Sequence, residues 1–167
     1  EDPDLLTLGD CDGDGVATDA DWDDTDPTTG VYWVSVSASY YHGCGVDSLG
    51  TVHCWGSNDY GEATPPSGGF AEVSVGINHS CGLDSSGGVQ CWGDDTWGQS
   101  SPPDGAFESV STGDLHGCGI ESGGQVQCWG LNHYGQADPP EGTFQMVSSG
   151  WYHTCGIDSA GSLICWG

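Results

Sequence analysis

The chain has 167 residues and a formal net charge of −25, because it contains 25 Asp and Glu residues and no Lys or Arg. Such a polyanion repels nucleic-acid phosphates and anionic lipid surfaces, so we expect neither as a partner. The 30 Gly, 8 Trp and 35% hydrophobic residues suit short strands and turns rather than a helical bundle. No apolar run approaches the ~18 residues of a membrane span, so we expect no membrane insertion. The N-terminus has no basic segment followed by an apolar one, and we interpret the chain as a mature secreted form.

Residues 1–30 are an acidic segment whose pattern predicts calcium binding. Of the 25 acidic residues, 11 lie between Glu1 and Asp26. The stretch from Asp10 to Asp21 fits D-x-D-x-D-G-x-x-x-x-x-D, in which acids converge on Ca²⁺ and Gly15 permits the turn. The following stretch resembles the Asp-rich metal-binding repeats of bacterial surface proteins and predicts a second ion that shares Asp21. A disordered acidic tail is the alternative. The predicted ligands of one or two Ca²⁺ ions are Asp10, Asp12, Asp14, Val16, Thr18, Asp19, Asp21, Asp23, Asp24 and Asp26.

After this segment the sequence repeats itself with a step of 37 residues. Two Cys, one Trp and one His keep that step in every unit, which indicates a repeat architecture. The residues in phase are Cys44, Cys81, Cys118 and Cys155, then Cys54, Cys91, Cys128 and Cys165, then Trp55, Trp92, Trp129 and Trp166, then His42, His79, His116 and His153. We therefore predict a second domain over residues 31–167, made of four units at about 31–68, 69–105, 106–142 and 143–167.

The second unit shows the local structure that we expect in all four. Phe70, Val73 and Val75 mark a first strand, and a second runs from His79 to Asp84. A turn precedes the third strand, which begins at Val89, and Gly and Pro punctuate the return to the next unit. No segment has helical periodicity over a useful length. The predicted fold is all-β, with four blade-like repeats behind an acidic calcium-binding loop.

The unit resembles the regulator of chromosome condensation repeat in its Cys-containing bacterial extracellular form. The resemblance rests on the pattern V-S-x-G-x-x-H-x-C-G-x-D-x-x-G-x-V-x-C-W-G-x-N-x-Y-G-Q and covers residues 31–167. It implies that each repeat is a β-propeller blade, commonly one of seven, in a protein-binding scaffold. A bacterial propeller that inhibits β-lactamases is one such protein. The eukaryotic nuclear role does not transfer, because a chain without Lys or Arg has no cation for phosphates.

The paired cysteines of each unit predict a disulfide across a hairpin. If the turn occupies residues 48–50, antiparallel pairing places Cys44 opposite Cys54, within disulfide reach. Zinc coordination and bridges between neighbouring units are the alternatives. Because nine Cys cannot all pair within one chain, Cys11 is expected to be unpaired or linked between subunits. The predicted pairs, which indicate an oxidising compartment, are Cys44–Cys54, Cys81–Cys91, Cys118–Cys128 and Cys155–Cys165.

The repeated aromatic residues have structural interpretations. We expect the in-phase His to be core residues bonded to neighbouring backbone, and the Trp of each Cys-Trp-Gly to pack between blades. Tyr60, Trp97 and Tyr134 form a second aromatic set, for which we also favour packing over a glycan site. His53 and His133 are expected to be solvated. No nucleophile elbow, phosphate-binding loop or metalloprotease motif is present, so the predicted protein is not an enzyme.

Two functions remain after these exclusions. The first is a secreted or cell-surface structural protein that self-assembles head to tail into a fibre or surface layer, a homopolymer. The unfinished last repeat and the apolar start at Val31 favour it, because unpaired strand edges are templates for another chain. The alternative is a monomeric propeller that binds another protein or a glycan.

Overall fold

A computed structural model of the protein describes residues 31–167. These residues form twelve strands and no helix, and they therefore contain no helix able to cross a membrane. In chain order the strands are β1 (Trp33–Ala38), β2 (His42–Asp47), β3 (Val52–Gly56), β4 (Phe70–Val75), β5 (His79–Asp84), β6 (Val89–Gly93), β7 (Phe107–Thr112), β8 (His116–Glu121), β9 (Val126–Gly130), β10 (Phe144–Ser149), β11 (Thr154–Asp158) and β12 (Leu163–Trp166). The all-β fold predicted from the 37-residue step is confirmed.

The strands form four antiparallel sheets of three, each from consecutive strands. We call them blades 1 to 4. The first strand of each blade contacts the first and second strands of the blade before it: β4 packs on β1 and β2, β7 on β4 and β5, and β10 on β7 and β8. Because each blade contacts only its sequence neighbours in this way, the apolar core is divided into three clusters, one per junction.

The hairpin between the second and third strands has the register that the sequence predicts. In blade 1, Val46 pairs with Val52 and Cys44 with Cys54. The turn glycine, Gly50, has φ 81°, a left-handed conformation that Gly adopts without a Cβ penalty. Its carbonyl oxygen accepts the backbone N–H of Phe70 at 2.9 Å, so each turn also docks the next blade.

The first strand of each blade contains a β-bulge, which sets the direction of its side chains. The register shifts between Phe70 and Glu72 in β4, and the same irregularity recurs at the equivalent point of β1, β7 and β10. A bulge bends the strand and redirects its side chains. Phe70, Val73 and Val75 consequently face blade 1 and are buried.

Candidate binding surfaces

Every junction between blades joins two chemically different faces. The acceptor face of a blade consists of its disulfide and the aliphatic side chains of its second and third strands. The donor face of a blade consists of the apolar side of its first strand and the Trp of its third strand. At the first junction Cys44 and Val46, both 0% exposed, meet Phe70 and Val73 at 4% and 3%. The complete side chains of both faces are removed from water, which stabilises the pair of blades.

The donor face of blade 1 consists of the same positions, but no part of residues 31–167 covers it. Trp33 stands where Phe70 stands in blade 2, and it is 53% exposed. Val36 takes the position of Val73 and is 72% exposed. An apolar face of this kind marks an interaction surface, because soluble proteins rarely expose contiguous apolar patches.

The acceptor face of blade 4 is uncovered as well. Leu163, the counterpart of Val52, is 72% exposed, whereas Val52 is 8% exposed. Cys155 and Ile157 are partly exposed, and Cys165 is exposed. Among residues 31–167, one donor face and one acceptor face are therefore uncovered, and the three junctions show how such faces fit.

The in-phase histidines lie beside these junctions. His42, His79 and His116 are buried, whereas His153 is exposed. The expectation of core residues bonded to backbone is wrong for His153, which is exposed, and for the three buried rings, none of which bonds to backbone. His42 Nε2 lies 2.7 Å from Ser80 Oγ, and His116 Nε2 lies 2.8 Å from Thr154 Oγ1.

His79 differs from both neighbours. Neither of its ring nitrogens has a hydrogen-bond partner, because Gly117 occupies the position that supplies the hydroxyl in the other junctions. Burial lowers the pKa of His79 to about 4, and protonation of the neighbouring His116 and His42 would act in the same direction. The buried ring is therefore neutral at pH 7. A Cβ at Gly76 would overlap this imidazole, and a Cβ at Gly113 or Gly150 would overlap the His of its own blade, which explains the Gly at this position in blades 2 to 4.

The Trp of each third strand packs as predicted where a preceding blade covers it. Trp92 and Trp129 are buried at 8% and 7%, and Trp92 Nε1 donates to the Glu62 carbonyl oxygen of blade 1 at 2.8 Å. Trp55 has no such blade and is 50% exposed. The Trp ring is thus buried, and its N–H finds a hydrogen-bond acceptor, only where the Trp lies within a junction.

The second aromatic set is not buried between blades as expected, although Trp97 and Tyr134 each contact a ring of the next blade. Tyr60, Trp97 and Tyr134 are 56%, 48% and 64% exposed. The reason is that their loops turn outward around a buried residue: the Gln99 carbonyl Oε1 accepts the Trp97 backbone N–H at 2.8 Å. Gln136 does the same for Tyr134 at 2.9 Å.

Five exposed rings on blades 2 to 4 form two contacting groups, which are linked by the consecutive residues His133 and Tyr134 and which we together call the aromatic row. Trp97 meets His133 edge-on at 5.2 Å between ring centroids. Tyr134, adjacent to His133, lies 5.0 Å from Tyr152. Tyr152 in turn stacks on Trp151 at 5.1 Å. His133 is thus exposed, as expected, but belongs to this row.

His53 is half exposed and its Nε2 lies 2.9 Å from Asp47 Oδ2.

Each of the four hairpins contains a disulfide. The bonds join Cys44 to Cys54, Cys81 to Cys91, Cys118 to Cys128 and Cys155 to Cys165, with Cα atoms 4.0 to 4.1 Å apart. Within residues 31–167 no group of His, Cys, Asp and Glu is arranged to hold a metal ion. The predicted calcium ligands from Asp10 to Asp26 and the extra cysteine, Cys11, lie outside the described residues.

Solved structures with similar folds include two receptor-kinase ectodomains and yeast RCC1. The CRINKLY WD40 ectodomain of the Arabidopsis thaliana receptor kinase ACR4 is 32% identical, with a TM-score of 0.69 over 84% of this chain and 51% of that one. The ectodomain of the Physcomitrella patens receptor kinase CR4 is 31% identical, with a TM-score of 0.69 over 79% of this chain and 40% of that one. Yeast RCC1 (Prp20), solved bound to Kap60, shares the fold at 17% identity and TM-score 0.69, covering 81% and 42%.

The chain spans about half or less of the length of these proteins. No curated protein matches its sequence. The model of the regulator of chromosome condensation (RCC1) repeat matches residues 33–62, 70–99 and 107–136, which is more than half of the chain. Together with the four-blade fold, this match shows that the chain belongs to the regulator of chromosome condensation (RCC1) repeat family.

Proposed function

We propose that this chain is an extracellular, non-catalytic structural protein that assembles head to tail, with blade 1 of one copy on blade 4 of the next. The observation that carries the proposal is the pair of uncovered faces. Trp33 and Val36 would meet the Cys155–Cys165 disulfide and Leu163 of a neighbour, as Phe70 and Val73 meet blade 1 in the chain. A contact between two unlike faces that does not close on itself produces a filament.

Backbone groups of the two faces also match. Within the chain, the turn Gly of one blade accepts the N–H of the first residue of the next, as Gly50 does for Phe70 at 2.9 Å. By the same pattern, Gly161 of one copy would accept from Trp33 of the next. Four disulfides and the likeness to receptor ectodomains support an extracellular location, where such bonds persist.

Measuring the molecular mass of the protein in solution at several protein concentrations tests assembly. Light scattering or analytical ultracentrifugation from about 1 to 100 μM in calcium buffer should show mass rising beyond the 17.3 kDa chain. Val36→Glu should shift the chain to monomer, because it places a charge in the contact while altering a side chain that is 72% exposed. Leu49→Glu is the matched control, since Leu49 is 73% exposed but lies in a hairpin turn. A wild-type chain that remains monomeric throughout, or equal effects of both variants, would contradict the proposal.

We further propose that the acidic segment binds one or two Ca²⁺ ions. The support is the spacing of its carboxylates, with Asp10, Asp12 and Asp14 at the first, third and fifth loop positions. Bound calcium would also reduce the repulsion between copies that carry −25 each.

Isothermal titration calorimetry with the full chain tests calcium binding. We expect Asp14→Ala to weaken binding at least tenfold, because it removes a carboxylate that the ion needs. Asp104→Ala, at an exposed position between blades, should leave it unchanged. Chelation of calcium should not change the temperature at which the disulfide-bonded blades unfold. Absence of calcium binding by the wild-type chain would overturn this part of the proposal.

A second candidate function is a binding module for another protein or a glycan. The observation that favours it is the aromatic row, whose rings are exposed although their loops are fixed by buried Gln99 and Gln136. Binding of a soluble partner to the monomer, unaffected by Val36→Glu, would favour this function over assembly.

A further inference from the structure

We propose that the aromatic row is a docking surface for a cationic polypeptide segment rich in Lys or Arg. This inference rests on the second candidate function and names its partner class. The row is formed by Trp97, His133, Tyr134, Tyr152 and Trp151, with centroid distances of 5.0 to 5.2 Å at its contacts.

The first support is that the rings are available and held in place. Trp97, Tyr134 and Trp151 are 48%, 64% and 56% exposed. The backbone that presents Tyr134 is fixed twice, because Gln136 Oε1 accepts its N–H and Asn132 Oδ1 accepts the N–H of Ala137 at 3.0 Å. A surface organised before binding loses little conformational entropy when a partner arrives. Tyr and Trp are also the side chains that most often anchor protein interfaces.

The second support is the charge around the rings. Residues 31–167 contain 14 acidic residues and no Lys or Arg, so the surface has no fixed cation to pair with its carboxylates. Asp94 and Asp95 belong to the same loop as Trp97. Asp114 lies next to the other end of the row, since its backbone N–H donates to the carbonyl oxygen of Gly150, the residue before Trp151, at 3.3 Å.

Together these features select the chemistry of the ligand. A Lys ammonium or Arg guanidinium is attracted to the face of an exposed Trp or Tyr ring, and Arg also stacks on it. Neighbouring carboxylates add to that attraction and accept the hydrogen bonds that the cation donates. A neutral glycan could stack on the same rings, but it would gain nothing from the uncompensated negative charge. Charge complementarity therefore favours the cationic segment.

The experiment uses the full chain and a fluorescent hexa-arginine peptide, with binding followed by anisotropy at several salt concentrations. The double variant Trp97→Ala/Tyr134→Ala leaves the charge unchanged and should weaken binding about tenfold, since two cation–π contacts at exposed sites together contribute about 1.4 kcal/mol. Tyr40→Ala is the matched control, because Tyr40 is 75% exposed but lies in blade 1 outside the row. Its affinity should equal that of the wild type. Tyr134→Phe, which keeps the ring, should retain binding.

Three results would overturn the proposal. Equal affinity of the double variant and the wild type would mean that the peptide is held only by diffuse charge. Absence of peptide binding at low salt would exclude a cationic partner outright. Salt-independent binding of a neutral oligosaccharide, lost in the double variant while hexa-arginine binding persists, would assign the row to a glycan. The mass of the double variant, measured as above, separates this site from head-to-tail assembly, because neither substitution touches an uncovered blade face.

Discussion

The junctions on either side of blade 2 differ in whether a hydroxyl group reaches the buried His. Between blades 1 and 2, Ser80 Oγ donates to the Glu62 carbonyl oxygen at 3.1 Å and lies 2.7 Å from His42 Nε2. Because that hydroxyl has a single hydrogen, His42 must donate to it and is therefore protonated at Nε2. Between blades 2 and 3 the equivalent residue is Gly117, and no hydroxyl reaches His79.

The junction between blades 3 and 4 restores the hydroxyl. Thr154 Oγ1 donates to the Gln136 carbonyl oxygen at 3.0 Å and accepts from His116 Nε2 at 2.8 Å. We call the first and third junctions the hydroxyl junctions and the second the glycine junction. Burial lowers the pKa of His116 to about 4, and it does the same for His79 in the glycine junction. Removal from water, rather than the hydrogen bond, therefore decides that these rings are neutral.

Acid should destabilise both kinds of junction, and this is the largest effect that we expect. A His with a pKa of about 4 in the fold and about 6.5 in the unfolded chain binds fewer protons when folded. Its contribution to stability is complete above pH 6.5 and is lost as pH falls from 6.5 toward 4. The loss is roughly 3 kcal/mol for each of His79 and His116 over that range. Urea unfolding followed by Trp fluorescence at pH 7 and pH 5 should register about 2 kcal/mol of that loss for each of these two residues, because pH 5 lies about 1.5 units below the unfolded pKa.

His79→Leu provides the control for this pH dependence. The Leu side chain is of similar size to the His side chain but cannot take up a proton. The variant should therefore lose less free energy of unfolding than the wild type between pH 7 and pH 5. Carboxylates such as Asp84, whose pKa is lowered by hydrogen bonds from Ser86 and Gly88, contribute in both proteins and cancel in the comparison. Equal losses in wild type and variant would mean that His79 is not the group that titrates.

At pH 7, replacing the buried His by Leu should have different effects in the two kinds of junction. His116→Leu removes the donor to Thr154 and should lower the free energy of unfolding by about 1 kcal/mol, the contribution of a typical hydrogen bond. His79→Leu removes a ring without partners and should be neutral or stabilising, because it relieves unsatisfied buried nitrogens. Thermal or urea unfolding of both variants tests the difference. A larger loss for His79→Leu than for His116→Leu would contradict it.

The strands were predictable because their determinants are local and repeated. The residue spacing placed the second strand of blade 2 at His79 to Asp84, as the structure has it. It also placed Cys44 opposite Cys54, since a hairpin of that length has a fixed register. The step of 37 residues then extended these local inferences to all four blades.

What the spacing could not predict is the environment of each repeated position. Trp92 and Trp55 have the same place in their blades, but only Trp92 has a blade in front of it, and their exposures are 8% and 50%. Similarly, the partner of His79 depends on residue 117, which lies 38 positions away in the next blade. Aligning each His with the residue 38 positions later would have revealed the Ser, Gly and Thr that distinguish the junctions.

The smallest expected effect isolates the hydroxyl itself at the glycine junction. A Cβ at Gly117 would lie 2.7 Å from ring atoms of Trp129, so Gly117→Ala and Gly117→Ser share the cost of moving that ring. Only Ser brings a hydroxyl, which would accept from His79 Nε2. It could also donate to the Gln99 carbonyl oxygen, which already accepts from Trp129 Nε1 at 3.0 Å and has a second lone pair.

Gly117→Ser should therefore be more stable than Gly117→Ala by about 1 kcal/mol, whatever both lose to the Trp129 contact. In the His79→Leu background the hydroxyl has no imidazole to bond, so most of that difference should disappear. The four unfolding free energies form a double-mutant cycle whose coupling term reports the contact between residues 79 and 117. A Ser-to-Ala difference that is unchanged by His79→Leu would show that the hydroxyl does not reach the imidazole. The glycine junction would then differ from its neighbours by more than one missing group.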